Sequence, residues 1–225
     1  MVSTGISALD TILEGEGYPD RSAILVAGAP GIGKEALCYW FTHSGLVQGD
    51  FCLYVTRLIT RDVLRDAKGF GVDFSQRVPF WIAQEGGEIK YDYRDLANLS
   101  YTIKDVLKKN AERRIRIVID VLSPLLSLNS PETIYKFVTQ LLNDIKQYEA
   151  VLLATLEEGM HQQQVSATMQ ANFDGVFELK IYEEGLSYVP ILRVRKMVGI
   201  PPLPGYFTYS FTKSGMEVGA YAKRV

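Results

Sequence analysis

The sequence predicts an α/β fold, with a mostly parallel central sheet flanked by helices and antiparallel strands at its C-terminal end. Apolar, β-branched runs alternate with helix-forming stretches through the first two thirds of the chain, as in sheets covered on both faces. The glycine-rich segment GAPGIGKE, Gly28 to Glu35, falls between the first such run and the first helical stretch. Beyond Asp174 the alternation gives way to strand pairs separated by short glycine-containing turns. Residues 1–225 are expected to form one domain, since single α/β domains reach roughly 200 to 250 residues.

In chain order, Ser22 to Ala27 reads as a strand that ends at the glycines, and Glu35 to Val47 as a helix with an apolar face. Phe51 to Thr56 follows as strand, Thr60 to Lys68 as helix, Val78 to Ala83 as strand and Arg94 to Lys109 as helix. The run Ile115 to Asp120 is a strand, Pro131 to Gln147 a helix with proline at its first turn, and Ala150 to Leu156 a strand. Val176 to Tyr182 and Tyr188 to Met197 flank Glu183-Glu184-Gly185 as a hairpin. Tyr206 to Phe211 and Met216 to Val218 flank Lys213-Ser214-Gly215 as a second. Ile200 to Gly205, with its three prolines, is an irregular connection within the domain.

Composition narrows the function. No apolar run approaches the roughly 20 residues that span a bilayer, and the N-terminus lacks the layout of a secretory signal. Cys38 and Cys52 sit among apolar neighbours without a C-x-x-C pair, which suits buried thiols in the reducing cytoplasm. With His43 and His161 as the only histidines, a zinc site is not expected. A formal net charge of −2 gives no global attraction for nucleic acid.

The chemistry concentrates at the glycine-rich segment. Phosphate oxygens need converging donors, and Gly28, Gly31 and Gly33 let the backbone curl so that N–H groups of Ala29, Ile32 and their neighbours turn inward around Pro30. Lys34 brings a cation to the outer phosphates of a nucleotide. The next position calls for a hydroxyl that ligates magnesium, and this chain has Glu35. Its carboxylate can ligate the metal. It also repels the polyphosphate, by roughly 4 kcal/mol for two unit charges ~4 Å apart at a surface-like dielectric. Asp120, at the end of its strand, is the second expected metal-site carboxylate.

Val2 to Asp10, GAPGIGKE, LYVT at Leu53 to Thr56, IVIDVLSPL at Ile117 to Leu125 and LRVRKM at Leu192 to Met197 together resemble the KaiC and RadA branch of the RecA-like P-loop ATPases. The resemblance extends over nearly the whole chain. It implies a RecA-like core that binds ATP or ADP with magnesium, in a ring or filament of like subunits with the nucleotide between them.

The departures matter as much as the matches. Where KaiC-like proteins carry a pair of glutamates that polarise the attacking water, this chain has Leu58 and Ile59. Where they carry K-M-R, with Lys and Arg reaching a neighbour's phosphate, Lys196 matches and Val198 replaces the arginine. A general base typically contributes 10²- to 10⁴-fold, and an arginine finger roughly 10³- to 10⁵-fold. The expectation is therefore a nucleotide-binding regulatory or assembly protein with little or no hydrolysis and a protein partner. The alternatives are a slow ATPase using Glu35 as magnesium ligand, and a recombinase-like DNA-binding paralogue. The missing glutamates also resemble the archaellum component ArlH in part.

Arg57, Arg61 and Arg65, four apart, would share a helix face as contacts to phosphate or to a neighbouring subunit, or as a solvated face beside Asp62 and Asp66. Lys108, Lys109, Arg113, Arg114 and Arg116 form the densest basic patch, expected as a solvated helix end far from the nucleotide. Glu157 to Thr168 lies where recombinases place a DNA-contacting loop, but it contains no Lys or Arg, so nucleic acid is not an expected partner. Trp40 and Trp81 read as core residues.

Overall fold

Along each central strand successive side chains enter opposite layers of core, the period-2 behaviour of a sheet buried on both faces. Ile24 and Val26 pack with α-helical residues Leu37 and Phe41 on one side, while Ala23, Leu25 and Ala27 pack with Ile134 and Leu141 on the other. The computed structural model describes residues 1–15, 17–92, 95–185, 187–212 and 215–220.

The elements are α1 (Ser7–Ile12), β1 (Ala23–Gly28), α2 (Lys34–Gln48), β2 (Phe51–Thr56), α3 (Thr60–Gly69), β3 (Phe80–Ala83) and β4 (Ile89–Lys90). They continue as α4 (Leu96–Lys109), β5 (Ile115–Asp120), α5 (Leu122–Leu128), α6 (Pro131–Gln147), β6 (Val151–Glu157) and α7 (Gln163–Asn172). The chain closes with β7 (Gly175–Glu184), β8 (Ser187–Met197), β9 (Phe207–Thr212) and β10 (Gly215–Ala220). Asp95 caps α4 by accepting from the Asn98 N–H, and Ser130 caps α6 by accepting from that of Thr133, each meeting one orphan donor of a helix start.

One ten-stranded sheet runs in the order β10-β9-β8-β7-β1-β6-β5-β2-β3-β4. From β4 to β7 every pairing is parallel; β8, β9 and β10 are antiparallel additions. The expected fold class is therefore the observed one. After β1 the chain passes over the places of β6 and β5 to form β2, and returns to fill them later. That reversal leaves a crevice at the carboxyl ends of β1, β6 and β5, where open α/β sheets bind their ligands. Gly28, Glu157 and Asp120 are the last residues of those strands.

Several expectations need correction. Helix α5, helix α1 and the short β4 were not anticipated, and the stretch expected as a loop, Glu157 to Thr168, runs into α7 from Gln163. The helix expected from Arg94 begins at Leu96; Arg94 itself, and Lys213 and Ser214 of the second hairpin turn, lie outside the described residues. Arg57 precedes α3, so it does not share a helix face with Arg61 and Arg65.

Arg116 is the clearest reversal. It leaves the solvated patch and becomes the largest fully buried side chain. Its Nε donates to Asp50 Oδ2 at 2.7 Å, Nη1 to the carbonyls of Ser3 and Phe41, and Nη2 to Gln48 Oε1 at 2.9 Å. A charge withdrawn from water needs such saturation of its donors, and Arg116 ties the N-terminal segment to α2 and β5.

Candidate nucleotide-binding site

The apolar strand β1 delivers Gly28 into the crevice, and the glycines that follow are needed for different reasons. A Cβ on Gly28 would meet the Leu179 carbonyl oxygen at 2.8 Å, and one on Gly33 would enter the Phe211 ring at 2.5 Å. Gly31 has nothing within 4 Å of its missing Cβ. Both Gly31 (φ 75°) and Gly33 (φ 93°) adopt the left-handed conformation that glycine tolerates best. Ile32 is buried in the core behind the loop, and its carbonyl accepts a hydrogen bond from Tyr209 Oη at 2.8 Å. Strand β9 thus props the loop from behind with Tyr209 and Phe211.

Helix α2 starts at Lys34 with no side-chain cap, so its first N–H groups and positive dipole end face the crevice. Lys34 is fully buried, and its ammonium donates to the Ala29 carbonyl at 2.9 Å and to Glu157 Oε2 at 2.8 Å. Pro30, Gly31, Gly33, Glu35, Asp120 and Glu157 line a common cleft of about 920 Å³. The arrangement brings the expected loop, Glu35 and Asp120 together.

Asp120 accepts a hydrogen bond from Thr155 Oγ1 at 2.6 Å. Burial pushes its carboxyl up to about 7; the Thr155 hydrogen bond opposes this, the Glu35 and Glu157 carboxylates add to it, and Lys34 offsets part. Such a carboxyl is short of positive charge, which a bound cation would supply. Among the described residues no group of three or more His, Cys, Asp or Glu is arranged to hold a metal alone. Magnesium usually takes one or two carboxylates and completes its shell with phosphates and water, so Glu35 and Asp120 fit it as partners of a bound nucleotide.

Lys196 is elsewhere. It lines a second cleft of about 750 Å³ with Arg195, Lys180, Glu178 and Glu158, and donates to the Ala171 carbonyl at 3.0 Å. In β8 Lys196 pairs with Val176 while Val194 pairs with Phe177, so Arg195 is the extra residue of a bulge. Leu58, expected at one of the glutamate positions, lines the first cleft beside Arg57 and Arg65, and Arg61 is not among the residues that line it. Arg65 pairs with Asp62.

Sequence reasoning missed Glu157, Thr155, Tyr209 and Phe211. Glu157 carried the same signal as Asp120, a carboxylate closing an apolar strand. Tyr209 and Phe211 carried only an alternate-residue spacing on a short strand.

The KaiC ATPase family model matches residues 2–223 of this chain. The chain belongs to the KaiC ATPase family. Among its relatives, the circadian clock protein KaiC3 of Synechocystis sp. is 30% identical over 154 residues, 66% of this chain and 29% of that protein. Circadian clock protein KaiC2 of the same organism is 37% identical over 75 residues, 33% of this chain and 13% of that protein. A UPF0273 protein of Sulfurisphaera tokodaii is 32% identical over 157 residues, 62% of this chain and 54% of that protein. The chain thus covers well under two thirds of each relative's length. Membership of the KaiC family implies, in general terms, nucleotide and magnesium as ligands. No helix among the described residues is long and apolar enough to cross a membrane.

Proposed function

We propose that this KaiC-family chain binds ATP or ADP with magnesium and works as a regulatory or assembly protein, with little or no hydrolysis. One observation carries the reading: the glycine loop, Glu35 and Asp120 line the first cleft with Lys34 buried beside it, and so does the apolar Leu58, which the resemblance aligns with one of the family's water-polarising glutamates. The loop N–H groups and Lys34 hold phosphates, and Glu35 and Asp120 hold the metal. Bound magnesium supplies the positive charge that these carboxylates and the polyphosphate both lack. Leu58 and Ile59 can neither accept a proton nor orient water, and Val198 brings no charge to a neighbouring subunit. Lys196, in its separate cleft, serves the nucleotide of a neighbouring copy in a ring. A ligand shifts assembly only through differential binding, so nucleotide acts by favouring the assembled or partner-bound form.

Two free, buried cysteines suit a cytoplasmic setting. DNA is not a partner in this reading, since α7 and the residues before it carry no Lys or Arg.

The test pairs phosphate release with light scattering at increasing ATP. The natural protein is expected to change its assembly without releasing phosphate. Because the hydrolytic parts act as a unit, Glu35→Thr alone should stay at background, while adding Leu58→Glu, Ile59→Glu and Val198→Arg should raise turnover. Sustained turnover by the natural protein, lost in Asp120→Asn, would instead establish a slow ATPase.

A further inference from the structure

The ammonium of Lys34 is already engaged. It has three N–H donors; one goes to the Ala29 carbonyl at 2.9 Å and one to Glu157 Oε2 at 2.8 Å. Glu157 is held for this contact by its place at the end of β6: its N–H donates to Ser123 Oγ at 2.8 Å, and the next N–H, of Glu158, donates to the Gly28 carbonyl at 2.9 Å. Its side chain is 23% exposed while that of Lys34 is fully enclosed, so the carboxylate stands between the lysine and the open cleft. Glu35 and Asp120 line the same cleft, so negative charge accumulates there around a single buried ammonium.

We infer that Glu157 is a specificity-determining residue that occupies the seat of an outer phosphate on Lys34, so that the site prefers a nucleoside diphosphate to the triphosphate. The inference rests on the nucleotide-binding reading of this cleft. With two donors taken, Lys34 has one N–H left, and a diphosphate can be held by the loop N–H groups and the start of α2 with the ion pair intact. A third phosphoryl group needs the donor that Glu157 holds. It must either break a charge-assisted hydrogen bond with a fully buried partner or lie against the carboxylate. A glutamine at this position keeps a neutral oxygen acceptor for Lys34 and removes the competing charge.

The test is titration calorimetry with ADP and with ATP, both with magnesium, on the natural protein, Glu157→Gln and Glu157→Ala. Glu132→Gln, an exposed change on α6, controls for net charge. The natural protein and Glu132→Gln should bind ADP more tightly than ATP, on the order of tenfold or more, the scale of one hydrogen bond to a charged group. In Glu157→Gln the ratio should fall to within about threefold, chiefly because ATP binds better. Thermal unfolding with each nucleotide gives a second reading of the same ratio, and Glu157→Ala serves if the glutamine variant does not fold. Binding with the same ADP-to-ATP ratio in natural and variant proteins would overturn this inference alone. No binding of either nucleotide by any of them would overturn the nucleotide-binding reading and this inference together.

Discussion

The two clefts described above are opposites in charge. Glu35, Asp62, Asp66, Asp120 and Glu157 line the first, against Arg57 and Arg65, and the buried ammonium of Lys34 is already paired with Glu157. Lys180, Arg195 and Lys196 line the second, against Glu158 and Glu178. A polyphosphate needs converging positive charge, and neither cleft supplies it alone: the first has the shaped backbone but more carboxylates than cations, and in the second Lys180 and Arg195 both contact Glu178. In the nucleotide-binding reading, the difference means that the loop by itself meets a polyphosphate with little net positive charge. Full neutralisation of a triphosphate requires magnesium, a second copy of the chain, or both.

The comparison breaks most sharply at Lys34. Lys34→Ala removes the one buried ammonium among the described residues and leaves Glu157 without its partner; nucleotide affinity should fall by about 2 to 5 kcal/mol, the cost of truncating one member of a buried charge pair. Calorimetry against ADP and ATP reads this directly, and an unchanged affinity would remove the nucleotide from this cleft. Next in size is the second cleft. Arg195→Ala with Lys196→Ala should leave the ADP affinity of dilute protein within about twofold, yet raise the protein concentration needed for nucleotide-dependent assembly by roughly tenfold, since in the proposed ring these cations act across a contact. Light scattering over a concentration series separates the two effects. A smaller effect is expected behind the loop: Tyr209→Phe leaves the Ile32 carbonyl without its buried donor and should cost about 1 kcal/mol of stability by urea denaturation. The smallest is Glu35→Thr alone, for which phosphate release should stay at background.

These expectations differ in how far the sequence alone supported them. The parallel strands and the loop were legible because each rests on local chemistry: β-branched runs make β1, β2, β5 and β6, and glycines at fixed offsets make the turn into α2. Asp120 was legible because it closes an apolar strand in a chain that also carries the phosphate loop, where that position holds the metal. What the sequence hid depends on residues far apart in the chain. Arg116 looked solvated among its basic neighbours, and only Asp50, Gln48 and the Ser3 carbonyl, brought together by the fold, explain its burial. Glu157 looked like part of a polar loop until β6 was seated between β1 and β5 and placed it against Lys34. Arg195 reached the second cleft through a bulge, which a period-2 pattern does not announce. Helix α7 is weakly amphipathic and buries only Met169, so its sequence carries little periodic signal.

The glycines of the loop have a consequence for how descendants of this chain can drift. Gly28 is fenced by the Leu179 carbonyl, and Gly33 by the Phe211 ring, so both would be retained by packing even after every trace of ligand binding had gone. Gly31 touches no neighbour, and only its backbone angle and whatever approaches from the cleft constrain it. Asparagine tolerates the left-handed region, so Gly31 can change without disturbing the core. In a collection of related chains, loss of phosphate recognition would therefore show first as variation at Gly31, with Gly28 and Gly33 left standing as fossils of the fold.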